Sequence, residues 1–87
     1  MPARMREAGV NRRERAALRA NSQELRWVCA EVRQRIRAGT ATRYDQAAIE
    51  TLSERIHRNP GPGARRALRD AARVTVKLRA HLRRAGL

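Results

Sequence analysis

The chain reads as an all-α protein, a small three-helix bundle with a long basic C-terminal helix. Three observations carry that reading. Apolar residues recur at three- and four-residue spacing in three separate segments, the period of a helix with one buried face. Capping residues and helix stops fall between those segments. The apolar content is mostly Ala, Leu and Val, with one Trp, one Tyr and no Phe, a palette that suits close approach of helices.

The first helix is predicted over about residues 12–38. Asn11 is a favoured N-cap, because its side chain can accept from an otherwise unpaired N–H of the first turn, and Gly39 supplies the stop. The second is predicted over about 43–58. Thr42 caps it, and Asp45 three residues on completes a capping box with Asp where Glu is usual. It ends before "NPGPG", whose prolines and glycines cannot continue a helix. The third runs over about 64–85, and residues 1–10 read as a flexible arm ahead of a single domain spanning 11–87.

An 87-residue chain buries only a little more than roughly 60% of its unfolded surface, so its core is thin and a dimer or a ligand would add usefully to its stability. The single Cys29 excludes an internal disulfide framework and fits a reducing compartment. No secretory-type apolar segment or bilayer-length apolar run stands in the sequence, so a cytoplasmic location is expected, nucleoid-associated if the partner is DNA.

Charge is the most informative feature. The chain carries 21 basic residues against eight acidic ones, a formal net charge of +13. All but Lys77 of the bases are Arg. A GC-rich coding bias explains Arg in place of Lys, but it does not explain the excess over acids. Self-repulsion of this size destabilises a compact state while attracting polyanions. The surplus is local: residues 1–38 hold ten bases and four acids, residues 39–62 three of each, and residues 63–87 eight bases and one acid.

At about 100° per residue, the faces follow from numbering alone. In the first helix Leu18, Leu25, Val28, Cys29, Val32 and Ile36 make the core stripe. Arg12, Arg15, Arg19, Arg26, Arg33 and Arg37 project beside it within an arc of roughly 60°. Glu24 and Glu31 fall on the other side. In the third helix Ala64, Leu68, Ala71, Thr75, Leu78 and Leu82 are expected to be buried. Opposite them Arg66, Arg69, Arg73, Lys77 and Arg84 form a ridge about 27 Å long, with few acids at i,i+4 to neutralise it.

That pattern points to a nucleic acid, DNA more than RNA, bound mainly through phosphate. Duplex DNA presents one charge per roughly 1.7 Å of axis, each neutralised phosphate releases counterions, and the guanidinium fork grips phosphate oxygens in pairs. The stretch "AAIETLSERIHRNPGPGARRALRDAARV" resembles a helix-turn-helix, which implies a recognition helix led by Arg65, Arg66 and Arg69. It departs in its longer, proline-bearing connection and in lacking an Asn or Gln to pair with adenine, so weakly specific binding fits better. The expected role is regulatory or architectural, including transcription regulation. The rival class is a helical scaffold or adaptor that oligomerises and docks its bases on an acidic protein. An amphipathic membrane-surface module is disfavoured, because the basic helix has no Trp or Phe on its apolar face.

Trp27 lies nearly opposite the first helix's core stripe, with Ala20, Gln23, Ala30 and Gln34 around it. Three readings stand: a contact with a second copy, making a homodimer, a platform for a stacked base, or a core residue if the register differs. Cys29 reads as a small buried apolar residue. His57 suits the C-terminal dipole of the second helix, and His81 lies at the edge of the basic ridge. One Cys and two His make no zinc spacing. Tyr44 is expected to pack against Ala48, Asp45, Glu50 and Glu54 read as helix-surface acids, and "GPG" lacks the Lys and Ser/Thr of a phosphate loop. No enzyme, cofactor or metal site is expected.

Overall fold

The computed structural model describes residues 11–86 and holds three helices with no strand among them: α1 (Arg12–Ala38), α2 (Arg43–Arg58) and α3 (Ala64–Arg84). The expected N-terminal arm, residues 1–10, lies outside the described residues. Helix boundaries follow local chemistry. The Asn11 side chain accepts from the Glu14 amide at 2.9 Å. At the other end of α1, Gly39 turns left-handed at φ 75°, its amide donates to Ile36 O at 3.1 Å and that of Thr40 to Arg35 O at 2.8 Å, a Schellman closure.

The capping box of α2 is complete. Thr42 Oγ1 accepts from the first turn, and Asp45 Oδ2 accepts from the Thr42 amide at 2.9 Å. Asp45 is not the surface acid that its position on a polar helix suggests. It is buried, and its Oδ1 accepts from Arg35 Nη1 at 2.7 Å, which ties the end of α1 to the start of α2. The connection before α3 turns through Gly63 at φ 81°.

α1 and α2 run antiparallel, as the Arg35–Asp45 pair at one end and the Arg55–Glu24 pair (3.6 Å) toward the other require. α3 reverses again, so α1 and α3 are parallel neighbours. Gly61 lies against Leu18 and Gly63 against Ser22, and further along Arg33 pairs with Asp70. The core between the three helices contains Leu25, Cys29 and Val32 of α1, Ile49, Leu52 and Ile56 of α2, and Ala64, Ala67, Ala71, Val74, Leu78 and Leu82 of α3. The buried face of α3 is therefore rotated from the expected one: Ala67 and Val74 are fully buried, while Leu68 and Thr75 are only partly so. Alanine at four of the buried positions, Ala41, Ala64, Ala67 and Ala71, lets backbones approach closely.

The helix-turn-helix comparison is not confirmed. The basic face of α3 lies alongside α1 in an up-down-up bundle, and its first turn is anchored through Ala64 and Ala67 in the core. The α2–α3 connection depends on Gly61, because a Cβ there would overlap that of Leu18. A Cβ moves only with its backbone, so Gly61→Ala is expected to cost about 1–3 kcal/mol of unfolding free energy. Urea denaturation of that variant measures it, and an unchanged midpoint would show that the connection gives way freely.

Candidate nucleic-acid interface

Parallel packing converts two helix faces into one groove. On α1 the residues Arg19, Arg26 and Arg33 repeat every seven positions, and on α3 Arg66 and Arg73 do the same. Seven residues are close to two helical turns, so each set stays on one side of its helix. Three contiguous cavities run between the rows. The first, about 200 Å³, is lined by Arg19, Ser22, Gln23, Arg26, Pro62 and Gly63. The second, about 350 Å³, is lined by Arg26, Arg33, Arg66, Arg69, Asp70 and Arg73 and is open to solvent. The third, about 120 Å³, lies between Arg33, Ile36, Arg37 and Lys77. Arg26 and Arg33 are shared between successive cavities, which makes them one trough about 27 Å long from Arg19 to Arg37 by the helical rise.

These guanidiniums are mostly unneutralised. The five ion pairs among the described residues engage only Arg33, Arg35, Arg55 and Arg58 as bases. Only the Arg33–Asp70 pair lies in the groove, where both side chains are partly buried and close its floor. That pair changes the expected role of Arg33, which here joins the two helices as well as adding charge. Arg19, Arg26, Arg37, Arg66, Arg69, Arg73 and Lys77 line the walls and are exposed.

Other residues of the expected set fall elsewhere. Arg12 and Arg15 stand on the first turns of α1, where residues 12–17 are all exposed. Arg65 is exposed outside the trough lining, and Arg84 closes α3 beyond Lys77. One basic cluster was not foreseen. A hollow of about 510 Å³ at the end of the bundle joins Arg43 of α2 to Arg79 and Arg83 of α3, with Gln46 and Leu82. Its members come from the two ends of different helices, so no run in the sequence marks it.

No protein family, curated protein or solved structure matches the chain. The site therefore has to be read from its own chemistry. Its guanidiniums are aligned along a trough that holds one carboxylate, Asp70. The described residues hold no group of three or more His, Cys, Asp or Glu that could bind a metal, and no helix among them is long and apolar enough to cross a membrane. Cys29 is fully buried in the core; burial foremost, then the negative charge of Asp70, pushes its thiol up to about 11 against the opposing influence of Arg33. A thiol held protonated in this way is a poor nucleophile.

Two residues lie open where other arrangements were expected or left open. Trp27 is 64% exposed, which removes the core reading, and Ala20, Gln23 and Ala30 around it are exposed too. Tyr44 is 87% exposed on α2 rather than packed down. Separately, α2 and α3 flank an apolar hollow of about 500 Å³ around Ile49, Leu68, Ala72 and Val76, and Val76 is 70% exposed.

Proposed function

We propose that this protein binds nucleic acid, DNA in the first place, by laying the α1–α3 trough against phosphates, and that it serves a regulatory or architectural role with little sequence selectivity. The observation that carries this reading is the trough itself. A row of exposed, largely unpaired guanidiniums runs about 27 Å along α1, the bases of α3 face it over about 17 Å from Arg66 to Lys77, and the many acids that a merely solubilising surface would carry are missing from the trough. Like charges gathered this closely repel one another, and a polyphosphate relieves the repulsion while releasing its own counterions. Arg suits the task because its planar fork holds two phosphate oxygens at once.

The test is affinity for a random-sequence duplex as a function of salt, read by fluorescence anisotropy. The logarithm of the association constant is expected to fall linearly with the logarithm of salt concentration, with a slope of about −4 to −6 for five or six phosphates. A slope near zero would contradict the phosphate reading.

A second reading has its own observation. The exposed Trp27 face and the apolar hollow by Val76 suit a scaffold that pairs with a second copy or docks on an acidic protein. A scaffold of that kind elutes free of nucleic acid at low salt, whereas a phosphate binder carries ultraviolet-absorbing material that high salt strips away.

A further inference from the structure

Trp27 follows Arg26 on α1, about 100° further round the helix from the trough. Between the Arg26 row and the indole stand Gln23, Ala30 and Gln34, all exposed, so no aromatic or charged group separates the charged wall from the aromatic face. On a helix some 12 Å across, that angle spans about 10 Å of surface, a distance that sugar and base bridge when a strand's phosphates lie in the trough. The acids on the far side of Trp27 are occupied: Glu24 pairs with Arg55 of α2 at 3.6 Å and Glu31 with Arg35 of its own helix at 3.5 Å. Arg33 and Asp70 meet across the floor of the trough and tie α1 to α3 there. A single strand is flexible enough to lay successive phosphates along the guanidiniums and turn its bases out, whereas the bases of a duplex stay paired and stacked inside it.

We infer that the trough takes one backbone strand lengthwise and that Trp27 stacks on a base turned out of it, which makes single-stranded nucleic acid the preferred form of ligand. This inference rests on the nucleic-acid reading above and adds to it a strand state and a contact residue. Aromatic faces beside a charged track are how single strands are held without sequence selectivity, because every base has a π-face. A paired base in a duplex is already stacked and gives the indole nothing. With one Trp in the chain and Tyr44 on a different helix, the gain is that of a single base, about tenfold in affinity.

The experiment uses Trp27 as its own reporter, since its emission is the only tryptophan signal in the chain. A labelled oligothymidine and a labelled duplex of matched length are titrated at low salt, with anisotropy reporting binding and tryptophan emission reporting stacking. Both ligands are expected to bind, and only the oligothymidine quenches the emission. Trp27→Ala is expected to weaken the oligothymidine about tenfold and leave the duplex unchanged, with Trp27→Phe restoring most of the loss. Thermal melting equal to the parent's shows that these exposed-site variants fold. Oligothymidine binding without quenching, or equal effects of Trp27→Ala on the two ligands, would overturn the inference while leaving the nucleic-acid reading in place. Emission that changes with protein concentration and not with oligonucleotide would assign Trp27 to a second copy instead. Failure of both ligands to change the anisotropy would overturn the nucleic-acid reading along with the inference.

Discussion

The triple variant Arg26→Ala/Arg66→Ala/Arg73→Ala is expected to bind duplex DNA about a hundredfold more weakly than the parent at roughly 0.15 M salt. These residues line the middle of the trough from both walls, and the described residues give none of them an ion-pair partner. Each phosphate contact contributes about 0.9 to the salt slope, so losing three leaves the dependence shallower by about two to three. The same arithmetic at that salt gives close to a hundredfold in affinity. Stability is expected to move the other way or not at all, because three mutually repelling charges leave a surface that buries none of them. The charge-matched control is Arg43→Ala/Arg55→Ala/Arg58→Ala, which removes three exposed bases of α2 outside the trough lining. Of these, Arg58 pairs with Glu54 at 2.7 Å. Anisotropy titrations of the two variants against the parent decide the matter: equal losses would mean that only total charge counts, and no loss in the triple variant would remove the trough from binding.

The second large effect is on the fold. Leu78 is fully buried on α3, and it is among the largest such side chains in a core otherwise rich in Ala. Leu78→Ala removes its burial and leaves a cavity that stiff helix backbones fill only in part, a cost of about 2–5 kcal/mol. A chain of 87 residues has a total stability of about 4–13 kcal/mol, so the variant loses a large share of it. The midpoint of urea denaturation, followed by helical circular dichroism, is expected to fall sharply with the slope unchanged. A loss under about 1 kcal/mol would mean that the α3 stripe is misassigned. Because a ligand that binds only the folded state adds stability by mass action, saturating oligonucleotide is expected to restore part of the midpoint.

Helix limits were legible in the sequence because they are set within a few residues. Asn11, Gly39, Thr42 with Asp45, and Gly63 each satisfy or release backbone groups of their own turn. The sorting of charge was legible for the same reason, since angle follows from number. What the sequence hid is tertiary. An Ala-rich helix offers apolar positions over a wide arc, so arithmetic on α3 selected Leu68 and Thr75, and packing beside α1 turned the buried face toward Ala67 and Val74. The burial of Asp45 depends on Arg35 arriving from α1, and the closure of the trough floor depends on Arg33 meeting Asp70, 37 positions away. The trough also needed α1 and α3 to lie parallel, and nothing in either helix alone states that. Its one early sign was the repeat of seven at Arg19, Arg26 and Arg33 matched at Arg66 and Arg73, a spacing suited to neighbouring helices.

The most direct measurement is of the guanidiniums themselves, by nuclear magnetic resonance of the Arg Nε–Hε groups during titration with an oligonucleotide. Signals of Arg19, Arg26, Arg66, Arg69 and Arg73 are expected to shift together and saturate at one equivalent of sites, while those of Arg55 and Arg58, paired on α2, stay in place. Shifts spread evenly over every Arg, or confined to Arg43, Arg79 and Arg83 at the end of the bundle, would contradict a phosphate track between α1 and α3.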